Sequence, residues 1–207
     1  MQLPGRTFLT RPLIEVETTL SARLNGLTDG PRRNISPGQE VIVCPPDRNL
    51  VHMRWGIIPV GRVNARGRPV METVINARSE TVFTKSAFDG VKRCLVPTDG
   101  WYEWTGEKRK KTPWRITRVS KEMVVFAGIY DIWRAPNGQD IAQVATLTCE
   151  PNADVKKIHH RMGVILDPAD FDAWLNGSQD DAAALMASLP NGKLDIREAT
   201  DVDWSGP

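Results

Sequence analysis

The sequence predicts an α+β fold in a single domain spanning residues 1–207, with antiparallel strands dominating. Short apolar and β-branched runs, bounded by glycine, proline, asparagine or aspartate, recur along the middle of the chain and are typical of strands joined by turns. Apolar residues at helical spacing occur near both ends. A chain of 207 residues without an internal repeat, a low-complexity tract or a composition break fits one domain of ordinary size.

The first half of the chain predicts one helix and one hairpin. Leucine and valine recur at helical spacing over residues 12–24, so we expect an amphipathic helix that ends near Gly26. Two strand-like runs, 39–44 and 50–55, are separated by a proline pair and predict a β-hairpin. Residues 61–69 are rich in glycine, proline and arginine. They predict a mobile loop, either solvated surface or a flap over a groove.

The second half predicts further strands, followed by short helices. Residues 84–90 read as a short helix or turn, and the basic run within 106–112 as a solvated hairpin turn. Asn137-Gly138 is a hairpin signal between two apolar runs. The remaining elements expected are strands at 123–133 and 141–148, a helix capped by Asp167-Pro168, a second helix at about 180–188 and one short strand within 193–204.

The most informative stretch is residues 93–104, Arg-Cys-Leu-Val-Pro-Thr-Asp-Gly-Trp-Tyr-Glu-Trp. Its apolar start is the pattern of a buried strand, and Pro97, Asp99 and Gly100 indicate a turn or bulge that redirects the backbone. Glu103 follows among three aromatic residues, which lower the local dielectric, raise a carboxyl pKa and suit proton transfer near neutral pH. The alternative is that the aromatic residues fill the core and Glu103 faces water.

Two further stretches favour the interpretation in which Glu103 transfers protons. Residues 76–81 read Asn-Ala-Arg-Ser-Glu-Thr, and residues 159–162 read His-His-Arg-Met. Together with the central stretch they resemble the SRAP family, the SOS response-associated peptidases, which act on abasic sites in single-stranded DNA. Supporting matches in family order are Arg-Asn-Ile-Ser-Pro at 33–37, Arg-Trp-Gly-Ile-Ile-Pro at 54–59 and Ala-Gly-Ile-Tyr at 127–130. The resemblance implies a bifurcated sheet that closes partly into a barrel, with flanking helices.

The resemblance implies three catalytic residues, Asn76, Glu103 and His159, whose side chains we expect to converge on one cleft. An abasic site is a deoxyribose that opens to an aldehyde, so its chemistry requires proton transfer and hydrogen-bond donors for hydroxyls. Glutamate and histidine transfer protons, and an asparagine amide both donates and accepts. The adjacent His160 leaves the identity of the functional histidine open from residue chemistry alone, and the family pattern favours His159.

The same resemblance implies a surface for the flanking DNA. Arginine binds phosphate bidentately without reading sequence, and tryptophan offers a stacking face for bases. We expect Arg78 and Arg161 to line the rim of the cleft, whereas for each tryptophan the alternative is core packing. The DNA-binding candidates are Arg6, Asn34, Trp55, Arg78, Trp104 and Arg161.

One departure concerns the family's nucleophile. The family begins Met-Cys-Gly-Arg, and its exposed cysteine condenses with the aldehyde to a thiazolidine crosslink, whereas here Pro4 precedes Gly5-Arg6. The chain is then either a natural variant that has lost crosslinking or the product of a different gene start. As written, we expect it to bind abasic single strands without a heat-stable adduct. A non-catalytic DNA binder and a peptidase with self-processing activity stay open as alternatives, and Met1 weighs against self-processing.

Composition limits the kinds of partner, compartment and cofactor that the chain can have. A net charge of only +2 requires any nucleic-acid affinity to come from a local patch. Three cysteines in apolar stretches predict reduced thiols in a cytoplasmic protein, and no segment is long enough to span a bilayer. The spacing of histidines 52, 159 and 160 predicts no metal site, and no cofactor is expected. The sequence leaves the oligomeric state open, and a monomer is the expectation.

Overall fold

The computed structural model of the protein describes residues 5–59, 73–107 and 110–206. The predicted loop at 61–69, Pro4 and part of the basic turn lie outside these residues. The strands are β1 Arg6–Leu9, β2 Arg32–Ile35, β3 Glu40–Val43, β4 Val51–Trp55, β5 Asn76–Arg78, β6 Lys92–Thr98, β7 Gly100–Thr105, β8 Thr112–Arg118, β9 Val124–Arg134, β10 Asp140–Cys149, β11 Met162–Gly163 and β12 Leu194–Glu198. The helices are α1 Leu13–Leu20, α2 Ala153–Lys156, α3 Phe171–Asn176 and α4 Gln179–Ala184, with 3₁₀ helices at Ser86–Phe88 and Pro168–Asp170.

Two sheets carry the fold. The first has the order β12-β8-β7-β1-β2, and each neighbouring pair is antiparallel. The second has the order β3-β4-β10-β9-β6, and a bridge between Cys44 and Leu95 joins its two ends. The second sheet therefore curls into a barrel, which confirms the predicted α+β fold and partial closure.

The second sheet also divides, as the resemblance implied. β9 and β10 pair as far as Gly128 and Thr146, and β11 with the residues after it then lies between them. The Val164 amide donates to Leu147 O at 2.9 Å, and the Ala127 amide donates to Val164 O at 2.9 Å. On its other side β10 pairs in parallel with β4 and then with β5. This division brings residues 76–78 and 162–163 to the same end of β10.

The predicted turn inside residues 93–104 is the corner where the chain passes from the second sheet to the first. Thr98 Oγ1 lies within hydrogen-bonding distance of two carbonyl oxygens, Phe8 O at 2.7 Å and Gly100 O at 2.8 Å, and its single hydroxyl hydrogen can be donated to either. Asp99 accepts hydrogen bonds from the amide and the hydroxyl of Thr10, at 2.6 and 2.8 Å. A Cβ at Gly100 would overlap the carbonyl oxygen of Ile116, so only glycine fits there. The corner places β7, and with it Glu103, in the first sheet.

The helices lie where they were predicted, but the end of α1 and the cap at Asp167 differ from the predictions. α1 ends at Leu20, earlier than predicted, because Ser21 adopts a left-handed conformation (φ 47°) and terminates it. The expected capping role of Asp167 is wrong, since its side chain makes no cap hydrogen bond and instead pairs with Arg118 at 2.8 Å. α3 packs on β6, where Trp174 Nε1 donates to Cys94 O at 2.9 Å.

The three cysteines, Cys44, Cys94 and Cys149, are free thiols and all are buried. Across the described part of the chain, no helix is both long and apolar enough to cross a bilayer.

Candidate active site

Glu103 is buried in β7, with only 2% of the residue exposed. Its neighbours Tyr102 and Trp104 flank it in sequence, and Trp114 lies across from it on β8. Its Oε1 has no hydrogen-bond partner among the residues that the structure describes. Burial raises the pKa of this carboxyl from 4.5 to about 9. The alternative in which Glu103 faces water is therefore wrong, and at neutral pH the side chain is a neutral acid that can donate a proton.

The register of β1 places the start of the described chain beside Glu103. Arg6 lies across from Tyr102 and Thr7 across from Trp101, so one further antiparallel step sets Gly5 opposite Glu103. The described chain thus begins, at Gly5, beside the buried acid. Pro4 lies outside the described residues, and the expectations that concern it stay predictions.

Asn76 begins β5 and lies across from Thr146 on the parallel strand β10. Thr146 Oγ1 donates a hydrogen bond to Asn76 Oδ1. This bond holds the Asn76 side-chain amide in one orientation against β10.

His159 lies in a turn that Arg161 stabilises. The Arg161 amide donates to His159 Nδ1 at 3.1 Å, and the His159 ring stacks on His160 with centroids 4.2 Å apart. The Arg161 guanidinium donates to the carbonyl oxygen of Thr148 at 2.6 Å. Because Thr148 pairs with Arg78, this contact joins the histidine turn to the strand that carries Asn76.

Arg161 is clamped by carboxylates. It forms a bidentate pair with Glu80, with distances of 2.6 and 2.8 Å, and contacts Glu150 at 3.2 Å. The fork from Arg161 lowers the pKa of Glu80, and the carboxylates raise that of Arg161. In this state the guanidinium is engaged by protein groups, with 12% of its side chain exposed, and its contact with phosphate stays a prediction.

Arg78 differs from Arg161. It is exposed, and its side chain makes no hydrogen bond or ion pair with the residues that the structure describes. Arg6 donates to the side-chain oxygen of Asn34, which is 3% exposed. Asn34 therefore supports Arg6 from within the protein, and Arg78 is an exposed cation beside Asn76.

The two tryptophan candidates have different environments. Trp55 is 2% exposed, and its Nε1 donates to Ile75 O at 3.0 Å. The expectation that it presents an exposed stacking face is wrong, because the ring fills the core beside β10. Trp104 is half-buried, and its ring packs on Trp204 at a centroid distance of 5.2 Å.

A cleft of about 540 Å³ lies between the β7–β8 pair and the end of α2. Trp114, the cross-strand neighbour of Glu103, lines one wall, and Ile158, which directly precedes His159, lines another. The structure therefore joins the Asn76 and His159 segments on β10 and brings the His159 segment towards the strands around Glu103. Convergence of the three side chains on one point stays a prediction.

Four residues that contact the candidate site residues were not predicted from the sequence. They are Glu80, Thr146, Thr148 and Trp204. Glu80 is the acid of the Asn-Ala-Arg-Ser-Glu stretch, but no sequence pattern pairs it with Arg161, which lies 81 positions away. The two threonines alternate along a predicted strand without any special feature. Within the described ranges, no cluster of three or more histidine, cysteine, aspartate or glutamate side chains is arranged to hold a metal ion.

Comparison with known proteins supports one grouping. The sequence pattern of the family described as SOS response associated peptidase (SRAP) matches residues 3–202. Abasic site processing protein YoqW of Bacillus subtilis (strain 168) is 34% identical over 179 residues, which cover 83% of this chain and 79% of that protein. Abasic site processing protein HMCES of Gallus gallus is 33% identical over 154 residues, covering 63% of this chain and 46% of that protein.

Solved structures share the fold. A protein from Bacteroides thetaiotaomicron superposes with a TM-score of 0.82 at 23% identity, over 95% of this chain and 92% of that chain. A phage-related protein from Bordetella bronchiseptica superposes with a TM-score of 0.71 at 27% identity, over 95% of this chain and 94% of that chain.

Proposed function

Since this chain belongs to the SOS response associated peptidase family, we propose that it recognises and processes abasic sites in single-stranded DNA as part of a DNA-damage response. Two relatives, YoqW and HMCES, carry the name abasic site processing protein. A cytoplasmic location belongs to the same proposal, because three buried free thiols fit a reducing compartment.

The observation that carries the proposal is the buried acid Glu103. Its pKa of about 9 keeps it protonated at neutral pH, and Gly5 approaches it on the neighbouring strand. A neutral carboxylic acid in an apolar site is costly to retain, and such groups cluster where proton transfer occurs. Glu103 therefore serves as the proton donor.

The chemistry follows from the closed form of an abasic deoxyribose. Ring opening adds one proton to the ring oxygen and removes one from the anomeric hydroxyl, which yields the aldehyde with no net change in protons. Glu103 supplies the first proton. The Asn76 amide positions a sugar hydroxyl. His159 accepts the second proton at Nδ1, which in the free protein accepts the hydrogen bond of the Arg161 amide and must exchange it for the proton.

DNA binding uses few phosphates. Arg78 is exposed, Arg6 lies on β1 next to β7, and the net charge is only +2. Trp104 supplies a stacking face. We expect affinity to fall with salt, with a slope that corresponds to a few phosphate contacts, and to be almost independent of base sequence.

The second candidate function is a DNA binder that does not crosslink. Pro4 stands at the position of the family's cysteine, and an internal proline offers neither a free amine nor a thiol. The three cysteines are poor substitutes, because burial raises the pKa of Cys44 and Cys149 to about 11 and that of Cys94 well above its usual range. The same buried thiols argue against a cysteine peptidase.

The test is a denaturing gel with abasic and intact single-stranded oligonucleotides. The chain as written should bind the abasic strand under native conditions and leave no heat-stable shifted band. A variant in which Met-Cys replaces residues 1–4, with methionine removed, should form the band, and adding Glu103→Gln should slow its formation. A heat-stable band from the chain as written would contradict the assignment of Pro4, and no binding to either oligonucleotide would contradict the proposed function.

A further inference from the structure

Residues 200–206, called the acidic segment here, lie across the part of the first sheet that carries the DNA-binding candidates. The ring of Trp204 is 5.2 Å from that of Trp104 and 5.0 Å from that of Tyr102, measured between centroids. An aromatic ring of the same chain, tilted by 59°, therefore already packs against the Trp104 ring that is proposed to stack on a base.

The backbone of the acidic segment is bound as well. The Asn34 amide donates to Trp204 O at 3.0 Å and to Gly206 O at 2.8 Å. The side-chain oxygen of Asn34 accepts the hydrogen bond from Arg6. One buried asparagine thus connects the segment to a cation proposed to bind phosphate.

The charges of the segment match the surface beneath it. Arg115 donates to Asp201 at 2.8 Å, and this hydrogen bond is the first reason that the pKa of Asp201 lies below its usual range. Asp203 accepts from the amide and hydroxyl of Ser205, at 2.9 and 2.6 Å, and shapes the turn after Trp204. An aromatic ring flanked by carboxylates presents the same features as a base flanked by phosphates.

Building on the proposed function, we propose that the acidic segment is an intramolecular competitor of single-stranded DNA. The Trp104 ring packs either against Trp204 or against a base, so strands reach it only in molecules whose segment has moved away. The apparent dissociation constant is then the intrinsic one divided by the open fraction.

The contacts that hold the segment are suited to release. No helix or strand is formed beyond β12 in the described chain. The Asp201 side chain is 64% exposed, and ion pairs that exposed contribute little to stability. The segment is therefore displaced by a ligand that supplies equivalent stacking and negative charge.

The experiment measures affinity for an intact single-stranded oligonucleotide by fluorescence anisotropy. Trp204→Ala leaves the net charge unchanged and removes the covering ring, so it should bind about threefold to tenfold more tightly than the wild type. Trp133→Ala is the matched control, because Trp133 is a partly exposed tryptophan on the distant β9–β10 hairpin. Its affinity should equal that of the wild type.

A second variant locates the effect. Adding Trp104→Ala to Trp204→Ala should abolish the gain, because the released surface is Trp104 itself. Urea unfolding should first show that the wild type and Trp204→Ala are both folded. If the wild type then binds the oligonucleotide and Trp204→Ala binds it equally or more weakly, the acidic segment does not compete with DNA, and the proposed function is unaffected. Failure of every variant to bind either the intact oligonucleotide or an abasic one would contradict both.

Discussion

Glu103 and Glu80 each lie in one of the stretches that point to function, and the two carboxyl groups have opposite environments. Glu103 is buried among aromatic residues, its Oε1 has no partner within the described ranges, and burial raises its pKa to about 9. Glu80 is half-exposed and receives the fork of Arg161, which lowers its pKa. One side chain type is thus held neutral at one place and ionised at another, which separates a proton donor from a charged clamp.

The same contrast divides the arginines. Arg161 is held by Glu80 and Glu150, whereas Arg78 is exposed and makes no ion pair within the described ranges. The clamp fixes the turn that carries His159, and the exposed cation is available to a ligand. The predictions below test this division, beginning with the largest expected effect.

Glu103→Gln should change the pH dependence of stability. In the wild type the folded state binds a proton that the unfolded state releases above pH 4.5, so the free energy of unfolding falls as the pH rises from 4.5 towards about 9. A glutamine does not titrate. The stability of the variant relative to wild type should therefore increase by about 3 kcal/mol between pH 4.5 and pH 7, measured by urea unfolding at each pH.

A constant offset between the two proteins is expected in addition, since the glutamine amide is buried where Oε1 has no partner among the described residues. Only the change with pH tests the environment of Glu103. Parallel stability curves over this range would show that the carboxyl is not held neutral.

Arg161→Met should destabilise the protein by about 1–2 kcal/mol, because it removes the fork to Glu80 and the hydrogen bond to the Thr148 carbonyl. Arg161→Lys keeps the charge and loses the bidentate geometry, so the stability of this variant should lie between those of the wild type and of Arg161→Met. Urea unfolding at pH 7 measures all three proteins. A lysine variant as unstable as the methionine variant would mean that charge adds nothing to the clamp.

Glu80→Gln should cost less, about 0.2–1 kcal/mol at pH 7, because the pair is partly exposed. The folded-state pKa of Glu80 is lowered, so its contribution is present above the unfolded pKa and is lost as the pH falls through the folded one. Wild type and variant should therefore have converging stabilities in acid. A difference that persists in acid would assign the effect to packing.

Arg78→Ala should have the smallest effect on stability, within about 0.5 kcal/mol of wild type, since the side chain is exposed. Its effect should appear in binding, where affinity for all single-stranded sequences falls and the salt slope decreases by about one. Arg23→Ala, an arginine near the end of α1, is the control for charge alone. Equal losses of affinity in both variants would remove Arg78 from the binding surface.

Local patterns in the sequence were sufficient for much of this account. The hairpins and the corner after Pro97 followed from turn residues. The aromatic residues around Glu103 left its burial and its exposure to water both open, and the two matching stretches elsewhere in the chain favoured burial. Turn residues act on the backbone over only a few positions, so distant contacts do not change the turns that they specify.

Features decided by distant contacts were not predictable. Trp55 lies beside an arginine and a glycine in sequence, but β10 and the chain at Ile75 bury it. The Arg161 clamp joins residues 81 positions apart, and the cover on Trp104 comes from the polar tail. Asp167 had the sequence signature of a cap, and the buried Arg118 competes for its carboxylate.

The most direct test is a pH titration of the Glu103 carboxyl by carbon NMR on glutamate-labelled protein, with Glu103→Gln to assign the signal. A protonated carboxyl at pH 7 that titrates near pH 9 is the predicted result. A carboxyl that titrates near pH 4.5, as in a solvated side chain, would contradict the assignment of Glu103 as the buried acid of the site.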